Sequence, residues 1–156
     1  EPIGGAEFDP AALHEELSQA FRTVAQQKGL TFIGTCADAP ERVVGDRKKV
    51  KQIAANLLSN ALKFTDQGHV SLTFAAYDAD RWAIRISDSG PGLNAQATQR
   101  LFGKLSTDND LVPQSGIGLA ITKDLIELLS GSIQVITKTG AGTVIEILLP
   151  VGMKST

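Results

Sequence analysis

The sequence has one cysteine, one tryptophan, one methionine and no marked excess of either charge. A lone cysteine, Cys36, cannot close an internal disulfide, and without a CxxC pair or His/Cys cluster there is no zinc-binding pattern. The apolar neighbours of Cys36 predict a buried, inert thiol. No apolar run approaches the about 18 residues that cross a bilayer, and no secretory leader is visible. Fifteen Lys and Arg stand against seventeen Asp and Glu, a net charge of −2. That balance gives no basic field for nucleic acid and no polybasic membrane anchor. Small anionic ligands stay open, because they need only a local site. Internal repeats and low-complexity tracts are also absent. What is present is an ordinary globular composition: 156 residues, 42% hydrophobic and 21% charged, enough for one domain with a substantial core.

The chain opens on Glu1 rather than Met, so it reads as a piece of a longer protein. Residues 1–8 are a Gly-rich lead-in, read as a linker or vector remnant, and 151–156 as a C-terminal tail. Between them, 9–150 reads as one domain. Asp9-Pro10 is an N-cap followed by proline at the first helical position. Leu13, Leu17, Ala20, Phe21 and Val24 then recur at helical spacing until Gly29. Residues 30–37 are short, β-branched and aromatic, a strand. Asp46 caps a second helix to about Phe64, with the apolar stripe Val50, Ile53, Ala54, Leu57, Leu58, Ala61 and Leu62.

Strands are predicted at 69–77 and 82–87, and again at 132–138 and 143–149, each pair joined by a short turn. Between the two pairs, 95–102 could form a short helix, 103–115 has no regular pattern, and a third helix runs from near Gly116 to just before Gly131. Hairpins alternating with helices favour a two-layer α/β sandwich: a mixed sheet of about five strands with three helices on one face. Strand–helix alternation is not sustained, which argues against a doubly wound sheet.

Three segments carry chemistry. On the second helix Asn56, Asn60 and Lys63 fall at i, i+4, i+7, with Gln52 one turn earlier. A solvated helix face explains that stripe. So does a site for a magnesium-bearing triphosphate, with amide oxygens for the hard cation and lysine for phosphate charge. Asp88-Ser89-Gly90-Pro91-Gly92 ends a strand. It is either a plain turn or a buried carboxylate acceptor beside glycines that admit a flat ring, the charge-assisted bond contributing about 1.5–3 kcal/mol. Ser115-Gly116-Ile117-Gly118-Leu119-Ala120-Ile121 opens the third helix, as a flexible entry or as backbone N–H groups aimed at an anion. The GxxxxGK[ST] pattern of P-loop enzymes is absent.

In this order and spacing the segments resemble the GHKL superfamily of ATP-binding domains, and within it the sensor histidine kinases of two-component systems. QIAANLLSNALKFT (52–65) is similar to the N box, DSGPG (88–92) to the G1 box and LFGKL (101–105) to the F box. SGIGLAI (115–121) is similar to the G2 box and GAGT (140–143) to the last glycine motif. The likeness runs over about residues 7–150. It departs at Leu105, where a second aromatic is usual, and at Gln114, where a glycine is usual.

The resemblance implies a Bergerat-type fold, ATP and Mg²⁺ as ligands, and transfer of the γ-phosphate to a histidine. Asn60 and Asn56 would hold Mg²⁺ and phosphate, Lys63 would contact phosphate, and Asn56, Asn60 and Lys63 together form the catalytic set. Phe64 would pack near the ribose or base. Asp88 would accept from the adenine amino group, Gly90 and Gly92 would shape the base pocket, and Thr143 would complete adenine hydrogen bonding. Gly116 and Gly118 would hold phosphate, with Leu93, Ser115, Ile117 and Leu119 completing the nucleotide set. Residues 103–115 would be a mobile lid.

ATPases of the Hsp90, gyrase and MutL types carry a glutamate base at the position of Asn56. An amide takes no proton, which favours transfer over hydrolysis. His14 reads as an ordinary surface histidine and His69 as structural. The acceptor and its dimerisation helices therefore belong to a histidine-phosphotransfer domain outside this chain, and a response regulator receiver domain is the onward partner. The piece itself is expected to be cytoplasmic and monomeric, without nucleic acid or membrane contact; the parent could be membrane-anchored. The other reading is a degenerate GHKL domain serving as a nucleotide-binding or protein-interaction module.

Overall fold

The computed structural model describes residues 6–65, 67–89, 122–138 and 142–152. In chain order these form β1 (Ala6–Phe8), α1 (Pro10–Gln27), β2 (Thr31–Asp38), β3 (Val43–Gly45), α2 (Arg47–Phe64), β4 (His69–Ala76) and β5 (Arg81–Asp88). Then come a helix over 122–128 (α3), β6 (Ser132–Lys138) and β7 (Gly142–Pro150).

Both long helices start where the sequence places an acidic cap. Asp9 Oδ1 accepts from the Ala11 N–H at 2.9 Å, with Pro10 supplying a preset φ. Asp46 Oδ1 accepts from the Lys49 N–H at 3.2 Å, and Lys49 Nζ returns to Asp46 Oδ2 at 3.0 Å. Those hydrogen bonds matter more than usual, because the first turn of α2 is Arg47-Lys48-Lys49, cations at the positive end of the helix dipole. α1 ends in a Schellman turn: Gly29 takes φ +76°, Leu30 N–H donates to Ala25 O and Gly29 N–H to Gln26 O. α3 ends the same way, with Ser130 rather than glycine at φ +64°.

The main sheet has the order β2-β4-β5-β7-β6. β2 and β4 are parallel, since α2 carries the chain back between them; the other pairs are antiparallel. Because side chains alternate, the register assigns each residue to a face. Ala76, Trp82 and Leu149 share one rung, Phe74, Ile84 and Ile147 the next, and Leu72, Ile86 and Ile145 the next. These residues are mostly buried and build the core with the helices. The opposite face carries Ser71 hydrogen-bonded to Ser87 and Arg85 paired with Glu146 at 2.8 Å.

Onto the apolar face α2 lays Val50, Ile53, Ala54, Leu57, Leu58, Ala61 and Leu62, all seven buried as the helical spacing predicts. Each large one contributes about 1.5–3 kcal/mol. α1 adds Leu13 and Leu17, and α3 adds Ile126, with Leu129 just after its end. The result is the two-layer α/β sandwich, with helices over one face of a five-stranded mixed sheet.

Three sequence expectations give way. His14 is buried, not on the surface. Its Nε2 lies 2.9 Å from Leu72 O, Ser18 Oγ lies 3.4 Å from Nδ1, and its ring meets Phe74 edge-on at 5.0 Å. Gly34 on β2 makes room for it, since a Cβ there would come within 3.0 Å of His14 Cε1. A polar ring at a core position is stable because both nitrogens have partners, which periodicity does not reveal. Cys36 is only half-buried, because β2 is an edge strand; what burial there is pushes its thiol pKa up, with the Asp9 charge adding to it. Finally, residues 6–8 of the expected lead-in form β1, which pairs with β3 in a second, two-stranded sheet. Phe8 anchors it, edge-on to Trp82 at 6.5 Å. β3 also takes a bond from Val44 N–H to Val151 O at 2.8 Å, so order extends into the expected tail.

Candidate functional site

Asp88 is the last residue of β5, and the alternation that buries Trp82, Ile84 and Ile86 places it on the same face. It shares its rung with Val70 of β4 and Thr143 of β7. Thr143 is buried, Asp88 half-buried, and both are engaged in polar or electrostatic contact. Asp88 and Thr143, which lie 55 positions apart in the chain, are thus cross-strand neighbours on the helix-covered face at one end of the sheet.

The backbone around Asp88 is held from two sides. On one, Ser89 N–H donates to His69 O at 3.0 Å while His69 N–H donates to Ser89 Oγ at 2.8 Å. Gly68, at φ +106°, leaves room for that hydroxyl: a Cβ there would lie 2.1 Å from Ser89 Oγ. On the other side, Gly142 has φ +100° and approaches so closely that a Cβ would lie 2.1 Å from Asp88 O. Gly142, the last glycine of the 140–143 motif, therefore lets β7 close against Asp88.

α2 packs on β4 and β5 from the same side. Asn56 and Asn60 flank its buried stripe and are half-buried; Lys63, one turn on, is exposed and has an interaction partner. Gln52 is exposed. Lys28, at the end of α1, reaches the C-terminus of α2, donating to Leu62 O and, at 3.2 Å, to Thr65 O. That ammonium satisfies carbonyls left over by the helix and offsets its negative end. For Phe64 the structure describes only its place as the last helical residue.

One polar contact ties α2 to α3. The Asn56 amide nitrogen donates to Thr122 Oγ1 at 3.1 Å. Sequence reasoning stopped at Ile121 and missed Thr122. A signal was there: Thr122, Ile126 and Leu129 fall at i, i+4, i+7, so a hydroxyl occupies a core position of α3. Gly90, Gly92, Leu93, Leu105, Gln114, Ser115, Gly116, Ile117, Gly118 and Leu119, and with them the expected lid at 103–115, lie outside the described residues.

What the described part offers is oxygen-donor chemistry over an apolar floor. Asn56 and Asn60 carry amide oxygens, the donor type a hard divalent cation takes, with an ammonium one turn away. Asp88 and Thr143 offer a carboxylate and a hydroxyl to a polar ring edge. These residues suit a magnesium-bearing nucleotide. Among the described residues there is no cluster of three or more His, Cys, Asp or Glu that would hold a metal without one.

The chain belongs to the family of histidine kinase-, DNA gyrase B- and HSP90-like ATPases, whose model matches residues 45–153. It is 32% identical over 149 residues to the sensor histidine kinase RcsC of Escherichia coli (strain K12), covering 92% of this chain and 16% of that protein. The structure superposes with TM-score 0.86 on full-length ShkA in complex with AMPPNP, at 25% identity, over all of this chain and 33% of that one. ThkA shows the same fold: its catalytic domain gives TM-score 0.81 at 22% identity, covering 96% of this chain and 99% of that domain. ThkA in complex with the response regulator protein TrrA gives 0.75 at 21%, covering 94% of this chain and 42% of that one. The chain thus spans about a sixth of RcsC and a third of ShkA.

Proposed function

We propose that this chain is the catalytic and ATP-binding domain of a sensor histidine kinase, binding Mg-ATP between α2 and the end of β5. The γ-phosphate would pass to a histidine on a dimerisation domain outside these residues, for relay to a response regulator aspartate. The observation that carries the reading is the Asp88–Thr143 rung on the sheet face that α2, the helix bearing Asn56, Asn60 and Lys63, covers. Asp88 accepts from the adenine amino group, with Thr143 beside it. Asn60 and Asn56 hold the cation and phosphate, and Lys63 neutralises phosphate charge. When bound, Mg²⁺ offsets negative charge developing on the transferred group. Leu93 and the 115–119 segment complete the nucleotide set on the lid side, and Gly90 and Gly92 shape the base pocket.

Asn56 supports transfer rather than hydrolysis, because an amide cannot deprotonate water. His14 is an unsuitable acceptor, its ring held between α1 and β4. The likeness to ThkA, solved with its response regulator protein, supports a receiver domain as onward partner. Among the described residues no helix is long and apolar enough to cross a membrane. We place the piece in the cytoplasm as a monomer, its ATP-binding unit running from residue 6, slightly beyond the 9–150 read from the sequence.

The test is thermal. Mg-ADP at 100 times its dissociation constant should stabilise the chain by about 2.7 kcal/mol and raise its melting temperature. Asp88→Asn should abolish the shift; no shift in the wild type, or an equal one in the variant, overturns the site. Mixed with its dimerisation domain and labelled ATP, the chain should then produce acid-labile phosphate. If nucleotide binds and no such phosphate forms, the domain is a nucleotide-binding or protein-interaction module instead.

A further inference from the structure

Thr122 is 1% exposed, and its hydroxyl oxygen accepts the amide N–H of Asn56 at 3.1 Å, beside a further interaction of its own. We infer that Thr122 is a positioning residue for the cation: with its hydroxyl accepting from the Asn56 amide nitrogen, it holds that amide in one orientation and leaves the oxygen as the end open to the site. The inference rests on the nucleotide-site reading above.

An asparagine amide can turn over about its last torsion, which is broad and nearly two-fold. One orientation offers an oxygen, which a hard cation takes; the other offers an NH₂ group, which it does not. On an exposed helix face the two would interchange. Asn56 is half-buried, and its nitrogen is committed to a partner 66 residues away on another helix. That partner is β-branched, hence stiff at χ1, and is packed in the same stripe as the buried Ile126 and Leu129. The anchor is therefore as rigid as the core that holds it. Outer-shell partners of this kind orient a ligand atom without touching the metal, and losing one typically costs about 10–100-fold in metal affinity.

The experiment is calorimetric titration of this 156-residue chain with Mg-ADP, and with ADP in excess chelator. Thr122→Val keeps the shape and removes the hydroxyl; Thr122→Ser keeps the hydroxyl. Valine should cost about tenfold in Mg-ADP affinity and leave metal-free ADP unchanged, while serine recovers the loss. The inference is overturned if valine keeps the full magnesium-dependent gain, loses affinity equally with and without metal, or is not rescued by serine. A wild type that binds no ADP in either form overturns the nucleotide reading itself, before any variant is compared. Should valine not fold, the wild-type side-chain amide resonance of Asn56, assigned by its loss in Asn56→Ala, decides. It should exchange slowly with water and move on adding Mg-ADP but not metal-free ADP; exchange as fast as in an exposed asparagine overturns the proposal.

Discussion

Replacing Gly142 with alanine tests the geometry around Asp88 more directly than replacing Asp88 itself. Two costs combine there. At φ +100° an L-residue is disfavoured by about 1–2 kcal/mol. The new Cβ would also stand 2.1 Å from Asp88 O, where about 3.0 Å is the closest real approach, so strand backbone must move by about 0.9 Å. Overpacking of that kind adds about 1–3 kcal/mol, giving about 2–5 kcal/mol together. Gly29 is the internal control. It too has positive φ, +76°, but nothing lies within 4 Å of its Cβ position, so Gly29→Ala carries the dihedral cost alone. Trp82, the single tryptophan and 1% exposed, reports unfolding by fluorescence in urea.

The expected order of stability is wild type, then Gly29→Ala, then Gly142→Ala. Binding separates the two variants further. A displaced Asp88 forfeits a charge-assisted bond worth about 1.5–3 kcal/mol, so Gly142→Ala should weaken Mg-ADP binding about 10- to 100-fold, with Gly29→Ala unchanged. If Gly142→Ala were no less stable than Gly29→Ala and bound Mg-ADP like the wild type, the close approach of β7 would not be what holds Asp88.

Asp46 caps α2 while facing three successive basic residues. Burial works to raise its pKa, but hydrogen bonds from the Lys49 side chain and backbone outweigh it and hold the carboxyl below its ordinary value. A lowered folded-state pKa gives stability that is present above the unfolded value, about 3.9, and lost as pH falls through the folded one. Asp46→Asn keeps a capping oxygen and loses the charge, so it should be less stable than wild type at pH 7 by about 0.5 kcal/mol, with the gap closing in urea melts run progressively below pH 4; a gap that is constant with pH would contradict this account. For His14, the carbonyl of Leu72 can only accept, so Nε2 carries the proton and Nδ1 receives the Ser18 hydroxyl. His14→Leu should cost about 1–3 kcal/mol by stranding both partners, with His14→Gln recovering part; a leucine variant as stable as wild type would refute that role.

Much of this was legible in the chain. The α2 stripe is buried residue for residue because a 3.6 period written in Val, Ile, Leu and Ala has one way to meet an apolar sheet. Asp9 and Asp46 mark helix starts because capping is a local bond between a side chain and the next turn. The β4–β5 and β6–β7 pairs and the polar stripe of Asn56, Asn60 and Lys63 follow from equally local rules.

Other features depend on contacts between residues far apart in sequence, which no local pattern encodes. β1 and β3, three residues each, are too short to show a period; Phe8 becomes core only because Trp82 is there to receive it. His14 looks like a surface residue until Leu72 O and Ser18 satisfy its ring. Thr122 looks like a helix residue among others until α3 brings it to Asn56. The sequence alone determined α1 and α2, the β4–β5 and β6–β7 pairs and the types of donor available. Tertiary structure decided which donors meet, because register sets the face of Asp88 and Thr143 and packing sets the partner of Asn56.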